Sequence, residues 1–157
     1  MTTIDTNRTP LFISALKPVY AALDDVAFAG LRAATGLFLI PHGAQKLFGL
    51  FGGYGLEATG QFFETQLGFS NGYLAALGAG SVEVFAGLAL ALGLLTRVAA
   101  GMIAVFLGVA LTVHLGGGFF WTDGGWEYPA LWMLVAVYFV VKGGGRLSLD
   151  RALGREL

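Results

Sequence analysis

Four long apolar stretches constrain the fold of this chain more than any other feature. They cover about residues 26–46, 73–95, 98–115 and 128–141. A helix needs about 20 apolar residues to cross the hydrocarbon core of a bilayer. The sequence therefore predicts an all-α, polytopic membrane protein with a bundle of four transmembrane helices. The last two stretches are short, so we expect little tilt or a locally thinned bilayer.

Composition excludes several classes of protein. Apolar residue types make up 56% of the chain and charged types 12%, whereas a soluble domain carries about 25% charged residues. The nine basic residues form no patch with interleaved aromatic residues, so we expect no nucleic-acid partner. The absence of cysteine removes thiolate nucleophiles, iron–sulfur clusters and Cys-type zinc sites.

Two further segments are predicted to lie on the membrane surface rather than across it. Residues 1–24 form a cytoplasmic N-terminal segment, in which residues 10–24 carry apolar side chains at helical spacing, as an interfacial amphipathic helix does. Residues 56–67 have a similar pattern and are expected to cover the outer mouth of the bundle. Residues 25–157 then form the four-helix membrane domain with its short basic tail. Within that domain, Thr96 and Arg97 mark a tight turn between the second and third helices.

The distribution of basic residues predicts the orientation. The loops at residues 49–72 and 116–127 contain no Lys or Arg. Seven of the nine basic residues fall in segments that the predicted topology places on the opposite side of the membrane: Arg8, Lys17, Arg97, Lys142, Arg146, Arg151 and Arg155. Cytoplasmic loops carry the excess of Lys and Arg. We therefore expect a multi-pass protein of the cytoplasmic (inner) membrane with both termini in the cytoplasm.

Ionisable residues inside the apolar helices are the candidate functional residues, because charge within a membrane is costly and usually faces the bundle interior. With a rise of 1.5 Å per residue, Glu83 lies about 20 Å up its helix from the cytoplasmic end. His42 and His114 lie about 24 Å up theirs, and Lys46 about 30 Å. Glu127 reaches the same level from the fourth helix. These five residues are the candidate cofactor-binding set, and Glu83, His42 and His114 are the candidate catalytic residues.

Several chemistries fit this set. A carboxylate and histidines can exchange protons with a quinone head group, because histidine titrates near neutral pH. Two histidines on neighbouring helices can also hold a haem iron, and His-His-Glu is a metal-binding combination. The spacings are diagnostic of neither haem nor metal, so quinone is the preferred cofactor and no metal site is assigned.

Structural roles account for the same residues equally well. Lys46 can extend to the outer head groups, and Glu83 can pair with Lys46 or Arg32 to hold helices together. Glu127 can stabilise the N-terminus of the fourth helix. Pro41 is expected to kink the first helix and free backbone carbonyls near His42. Arg32 and Arg97 are assigned structural or topological roles.

Three strings resemble one known family in order along the chain. Residues 32–49 read RAATGLFLIPHGAQKLFG, residues 83–100 read EVFAGLALALGLLTRVAA, and residues 143–153 read GGGRLSLDRAL. They are similar to the first-helix, second-helix and C-terminal patterns of the DoxX family. The family pattern falls on Arg32, Gly43, Lys46, Glu83, Gly87, Gly93 and Arg97. Residues 1–24 lie outside it.

The resemblance implies a four-helix membrane protein with cytoplasmic termini, linked to quinone-dependent oxidoreductases or redox-stress complexes. It supplies no proven catalytic set. The first functional hypothesis is therefore a quinone- or lipid-binding subunit with a membrane oxidoreductase partner. The second is a non-enzymatic scaffold or assembly factor, whose glycine-rich faces favour a homo-oligomer. The third, a small transporter or channel, is disfavoured because the chain has no inverted repeat.

Overall fold

The computed structural model describes residues 10–156, and these residues form helices and turns with no β-strand. Arg8 and the first part of the predicted N-terminal segment lie outside the described residues. Seven α-helices follow one another within the described range: α1 (Lys17–Phe48), α2 (Gly55–Thr65), α3 (Gly72–Ser81), α4 (Gly87–Leu92), α5 (Thr96–His114), α6 (Glu127–Lys142) and α7 (Leu149–Ala152). The predicted all-helical class is confirmed for this part of the chain.

Helix α1 joins two segments that the sequence separated. Its 32 residues would measure about 48 Å in length, and no break in the helix falls between residues 24 and 25. Pro41 lies inside the helix without ending it. The predicted surface segment is therefore, from Lys17 onward, the first turns of the same helix that holds the first apolar stretch. Its position on a membrane surface stays a prediction.

Two segments are long and apolar enough to cross a membrane: Gly72–Leu92 and Thr96–Gly117. The first combines α3, a π-helical segment at Val82–Ala86 and α4 into one continuous helix. Helix α1 and the 16-residue helix α6 were also predicted to span, but within residues 10–156 only the two segments named above meet the length and composition criteria. The count of four spans stays a prediction.

The turn between α4 and α5 lies earlier than predicted. Gly93 (φ +69°) and Leu95 (φ +47°) have left-handed backbone conformations, and Thr96 already belongs to α5. The turn therefore occupies residues 93–95, and the predicted turn at Thr96 and Arg97 is wrong because both residues already belong to α5. Glycine adopts this conformation without strain, and Leu95 is held in it because its amide donates to the Asp150 carboxylate at 2.7 Å.

Glycines set the distance between α1 and the Gly72–Leu92 helix. A Cβ atom at Gly43 would lie 2.7 Å from the Gly80 carbonyl oxygen and 2.9 Å from Glu83 Cβ. A Cβ atom at Gly36 would likewise collide with the backbone of Gly87. Pairs of glycines on facing helices let backbones approach in a membrane environment. The approach brings Lys46 of α1 next to Glu83.

Helices α5 and α6 form the other half of the structure. They pack through small and branched side chains that are almost entirely buried, and Ile103, Ala136 and Phe139 have no exposed surface. Leu90 of α4 joins this core. A cavity remains between the α1–α3 side and the α5–α6 side, and α2 lies at one end of it. Helix α7 lies at the opposite end of the molecule, which we call the tail end.

Candidate functional site

The cavity has a volume of about 1590 Å³ and receives side chains from every long helix. Sites for drug-sized ligands measure about 300–1,000 Å³, so this space is large enough for a lipid-sized molecule. Most of its wall is aliphatic or aromatic. Helix α2 and the following loop contribute Phe62, Phe63, Leu67 and Phe69. The segment predicted at residues 56–67 is therefore helical at Gly55–Thr65 and covers part of the cavity.

Four of the five candidate binding residues line this cavity. They are His42 and Lys46 of α1, Glu83 of the π-helical segment and His114 at the end of α5. We call these four residues the cavity cluster. Phe38 and Trp132 form an edge-to-face contact in the same wall, with ring centroids 5.9 Å apart. The result is an apolar chamber with a small number of ionisable groups, the usual composition of a ligand site.

Lys46 and Glu83 form an ion pair inside the cavity cluster. Lys46 Nζ lies 2.9 Å from Glu83 Oε1, to which it donates a hydrogen bond, and 2.8 Å from Oε2. The same ammonium group donates to the His42 carbonyl oxygen at 3.3 Å. Glu83 is only 3% exposed. Of the two structural alternatives predicted for Glu83, pairing with Lys46 or with Arg32, the structure contains the first.

The backbone around Glu83 explains how a carboxylate reaches this position. Glu83 lies in the five-residue π-helical segment Val82–Ala86. Such segments are rare and occur frequently at functional sites. Gly43 faces Glu83 across the helix contact, with no side chain to push the two helices apart. The π segment and the glycine contact together place the carboxylate beside Lys46.

The two histidines lie in different surroundings. His42 is exposed toward the cavity and follows Pro41, which also lines it. His114 ends α5, and its Nδ1 lies 2.8 Å from the Gly124 carbonyl oxygen. That contact joins the end of α5 to the loop before α6. His114 therefore has a structural partner, whereas no hydrogen bond of the His42 ring is found among the described residues.

Glu127 lies apart from the cavity cluster. It begins α6, and its Oε1 accepts a hydrogen bond from the Trp121 amide at 3.1 Å. Glu127 is not among the residues that line the cavity. Its contact joins the loop before α6 to the start of that helix, where Trp121 of the loop and Tyr128 of α6 pack edge to face with ring centroids 5.0 Å apart. Glu127 thus contributes to the shape of the wall rather than to its chemistry.

A second buried polar group lies at the tail end, and we call Arg32, Thr96 and Asp150 the tail-end cluster. Arg32 is 3% exposed and donates to the carbonyl oxygens of Leu90 (3.1 Å), Leu147 (2.8 Å) and Gly144. It therefore does not extend into solvent, and it connects α1 to the end of α4 and to the C-terminal segment.

Asp150 completes the tail-end cluster. Its carboxylate accepts hydrogen bonds from the Leu95 amide at 2.7 Å, the Thr96 amide at 2.9 Å and the Thr96 hydroxyl at 2.7 Å. Burial by itself raises the pKa of this carboxyl, but the hydrogen bonds from Thr96 and Leu95 and the charge of Arg32 outweigh it and lower the pKa below its ordinary value. Asp150 is thus the group that holds the α4–α5 turn.

Arg97 has a related structural role. Its guanidinium donates to the carbonyl oxygens of Val140 and Val141, each at 2.7 Å, and lies 3.6 Å from Glu156 Oε2. These contacts cap the end of α6, where basic groups are favoured. Arg32 and Arg97 thus both donate to backbone carbonyl oxygens of other helices or of the C-terminal segment.

Sequence reasoning passed over two parts of the molecule. Asp150 was noticed only within the C-terminal family pattern, and the signal that could have identified it is a carboxylate just after the Gly143–Gly145 break. The pattern at residues 56–67 predicts a helix on the membrane surface, and it does not indicate that Phe62 and Phe63 line a cavity. As for metals, no group of three or more His, Asp or Glu side chains within residues 10–156 is arranged to hold an ion.

Comparison with known proteins identifies one family. The sequence profile of DoxX matches residues 27–115, more than half of the chain, and includes Arg32, the whole cavity cluster and the α4–α5 turn. No curated protein and no solved structure matches the chain. The family match and the apolar helices indicate a membrane protein of a family often linked to redox stress. The chain belongs to the DoxX family.

Proposed function

We propose that this protein is an integral subunit of a quinone-linked oxidoreductase or redox-stress complex, and that it binds a quinone or a related lipid in its cavity. The observation that carries the proposal is the Lys46–Glu83 ion pair in the wall of a large apolar cavity. Buried charge in a membrane is expensive. A ligand that uses this pair gives a functional reason for it to be present.

The shape of the cavity supports an elongated amphiphile. Along α1 its wall runs from Thr35 to Lys46, about 16 Å at 1.5 Å per residue. The ion pair lies at one end of that distance, and the wall around Thr35 and Leu107 is mostly apolar. A head group would therefore lie near Lys46, with its tail among the aliphatic side chains. The Lys46 ammonium can donate to a quinone carbonyl, and aromatic side chains can pack against a ring.

The topology proposed here has four spans with both termini in the cytoplasm of a bacterial-type inner membrane. Basic residues at the tail end favour this orientation under the positive-inside rule. Arg97 contacts the end of α6, so the α4–α5 turn and the C-terminal segment share one end of the molecule. Helix α6, at about 24 Å, requires local thinning of the bilayer.

The test is mass spectrometry of small molecules that copurify with the protein in mild detergent. Glu83→Gln removes the cavity carboxylate, and Glu57→Gln removes an exposed carboxylate of α2 as a matched control. We expect a stoichiometric quinone or single lipid species in the wild type and in Glu57→Gln, and its loss in Glu83→Gln. Equal amounts of bulk phospholipid in all three samples would contradict the proposal.

One observation favours the scaffold alternative. A Cβ atom at Gly30, on an exposed part of α1, would meet nothing within 4 Å. Small residues on a free helix face allow close contact with a second copy or a membrane partner. Under this alternative, Gly30→Leu lowers self-association or partner capture, measured by cross-linking in membranes, while the ligand content of the cavity is unchanged.

A further inference from the structure

The segment after α6 uses its acidic side chains for contacts within the protein. Asp150 is 4% exposed and accepts hydrogen bonds from two amides of the α4–α5 turn. Glu156 Oε1 accepts a hydrogen bond from the Gly144 amide at 2.8 Å, and its Oε2 lies 3.6 Å from Arg97. Both carboxylates of residues 143–156 are therefore committed to neighbouring groups of the protein.

The basic side chains of the same segment face outward instead. Lys142, Arg151 and Arg155 are exposed, and no carboxylate of a described residue lies within ion-pair distance of any of them. Arg146 is also exposed, and it lies 3.1 Å from the Asp25 carboxylate in a pair that contributes little at such exposure. The outer surface of the segment thus carries three cations that no described carboxylate neutralises.

Exposed leucines alternate with these cations. Leu147, Leu149 and Leu153 are 53%, 41% and 67% exposed. Leu149 begins α7 and Leu153 caps it, and side chains four residues apart share a helix face. Apolar side chains beside basic ones are typical of a segment that rests on a membrane, with the former among the acyl chains and the latter at the head groups.

The position of α7 agrees with this interpretation. Asp150 binds the turn that connects the two segments long and apolar enough to cross a membrane, Gly72–Leu92 and Thr96–Gly117. A turn between two consecutive spans lies at a membrane surface, because each span takes up the thickness of the hydrocarbon core. Helix α7 is therefore held at the level of the lipid head groups.

We propose that the C-terminal segment, residues 142–155, binds the head groups of anionic phospholipids. The guanidinium of arginine matches a phosphate with two parallel hydrogen bonds. An acidic protein would also complement the three cations, but it gives no reason for three exposed leucines at head-group level. The inference is independent of the ligand in the cavity and of the side of the membrane on which the segment lies.

The experiment measures how closely α7 approaches the lipid. The chain contains no cysteine, so Ala152→Cys provides a single site for a fluorophore, at an exposed position of α7. The labelled protein is reconstituted in vesicles of phosphatidylcholine alone and in vesicles that contain about one-third phosphatidylglycerol. Both kinds of vesicle contain the same small amount of a lipid with a quencher on its head group.

We expect quenching to be at least about twofold stronger in the vesicles with phosphatidylglycerol, and to weaken as salt screens the charges. Weak and equal quenching in both vesicles would overturn the inference and would fit a segment that binds an acidic protein in water. Strong and equal quenching in both would overturn it as well, because anionic lipid would then not be required.

Variants assign the effect to the three cations. Each basic group near an anionic surface strengthens attachment by about fivefold, so the triple change Lys142→Gln, Arg151→Gln and Arg155→Gln should weaken it on the order of 100-fold. Quenching should then fall to the level in phosphatidylcholine, whereas Asp123→Asn, in the loop before α6, should leave it unchanged. Undiminished quenching in the triple variant would overturn the inference. The comparison of the two vesicles tests the proposal even if the triple variant fails to fold.

Discussion

The two buried polar clusters of this protein use their charges in opposite ways. In the tail-end cluster, Arg32 and Asp150 bond mainly to backbone groups at helix ends. In the cavity cluster, Lys46 and Glu83 bond mainly to each other, with the Lys46 ammonium 2.9 Å from Glu83 Oε1 and 2.8 Å from Oε2. Arg32 and Lys46 are separated by about 21 Å along α1.

The difference separates a structural site from a candidate binding site. The tail-end cluster satisfies carbonyl and amide groups that a turn and a helix start leave unpaired, so its side chains replace missing backbone partners. The Lys46–Glu83 pair holds no turn between helices, and it borders a cavity large enough for a ligand. Removing a buried charge pair from water is costly, and its mutual attraction offsets that cost only with good geometry and further hydrogen bonds. Four predictions test this contrast, from the largest expected effect to the smallest.

Asp150→Ala should produce the largest loss of stability. The change removes three hydrogen bonds to the α4–α5 turn and leaves the buried Arg32 without its acidic neighbour, at a cost of about 3–5 kcal/mol. We expect the melting temperature in detergent to fall by about 10 °C. Asp123→Ala, at an exposed carboxylate of the loop between α5 and α6, is the control and should change the melting temperature little. Equal effects of the two variants would refute the structural role of Asp150.

Lys46→Met should destabilise the protein by about 3 kcal/mol, because it leaves the Glu83 carboxylate buried without a cation. Adding Glu83→Gln should restore most of the lost stability, because the two charges serve mainly each other. The corresponding double change at the tail end, Arg32→Met with Asp150→Asn, should restore none, because backbone groups stay unpaired. Thermal unfolding of all six single and double variants measures both coupling energies. A tail-end rescue as large as the cavity rescue would remove the distinction.

Gly43→Ala should damage the cavity cluster through the backbone. Its Cβ would lie 2.7 Å from the Gly80 carbonyl oxygen, so α1 must move, at a cost of about 2 kcal/mol. We expect ligand binding to weaken as well, because Lys46 moves with α1. Gly108→Ala is the matched control in α5, since its Cβ would meet only Met133 Sδ at 3.6 Å. That variant should be neutral or slightly stabilising, and a loss of stability there equal to that of Gly43→Ala would contradict the packing argument.

The smallest effect concerns pH. The pKa of Asp150 is lower in the folded protein than its ordinary value of 3.8, so its ionised form contributes stability that is complete above that value. That contribution is lost as the pH falls below about 4 toward the folded-state pKa. We expect the melting temperature of the wild type to fall in this range more than that of Asp150→Asn. Parallel curves for the two proteins would show that Asp150 does not contribute to the acid dependence.

The sequence was informative for features that depend on one helix alone or on the residue composition of one segment. Apolar length predicted the helices that form α1, α3–α4, α5 and α6, and the family strings around Arg32 and Glu83 led to the family that the profile match establishes. Position along each helix also indicated that His42, Lys46, Glu83 and His114 could meet at similar depth. These inferences need only the rise of a helix and the polarity of its side chains.

Other features depend on contacts between segments far apart in the chain. The sequence left open whether Glu83 pairs with Lys46 or with Arg32. Close packing of α1 against the π-helical segment at Gly43 brings Lys46 within reach of Glu83. The sequence placed the α4–α5 turn at Thr96 and Arg97, because nothing local reveals that Asp150 holds Leu95 in a left-handed conformation. It grouped Glu127 with the cavity residues, although the loop before α6 turns its carboxylate toward the Trp121 amide.

The sequence by itself therefore determined that this is a membrane protein, that its fold is helical and that it belongs to the DoxX family. Burial of apolar surface and satisfaction of backbone groups in lipid follow from local composition alone. Only the tertiary structure decided the partner of each buried charge: Glu83 pairs with Lys46, and Asp150 accepts from the amides of the α4–α5 turn. These pairings depend on how closely α1, the π-helical segment and the C-terminal segment approach one another, and packing between helices sets that approach.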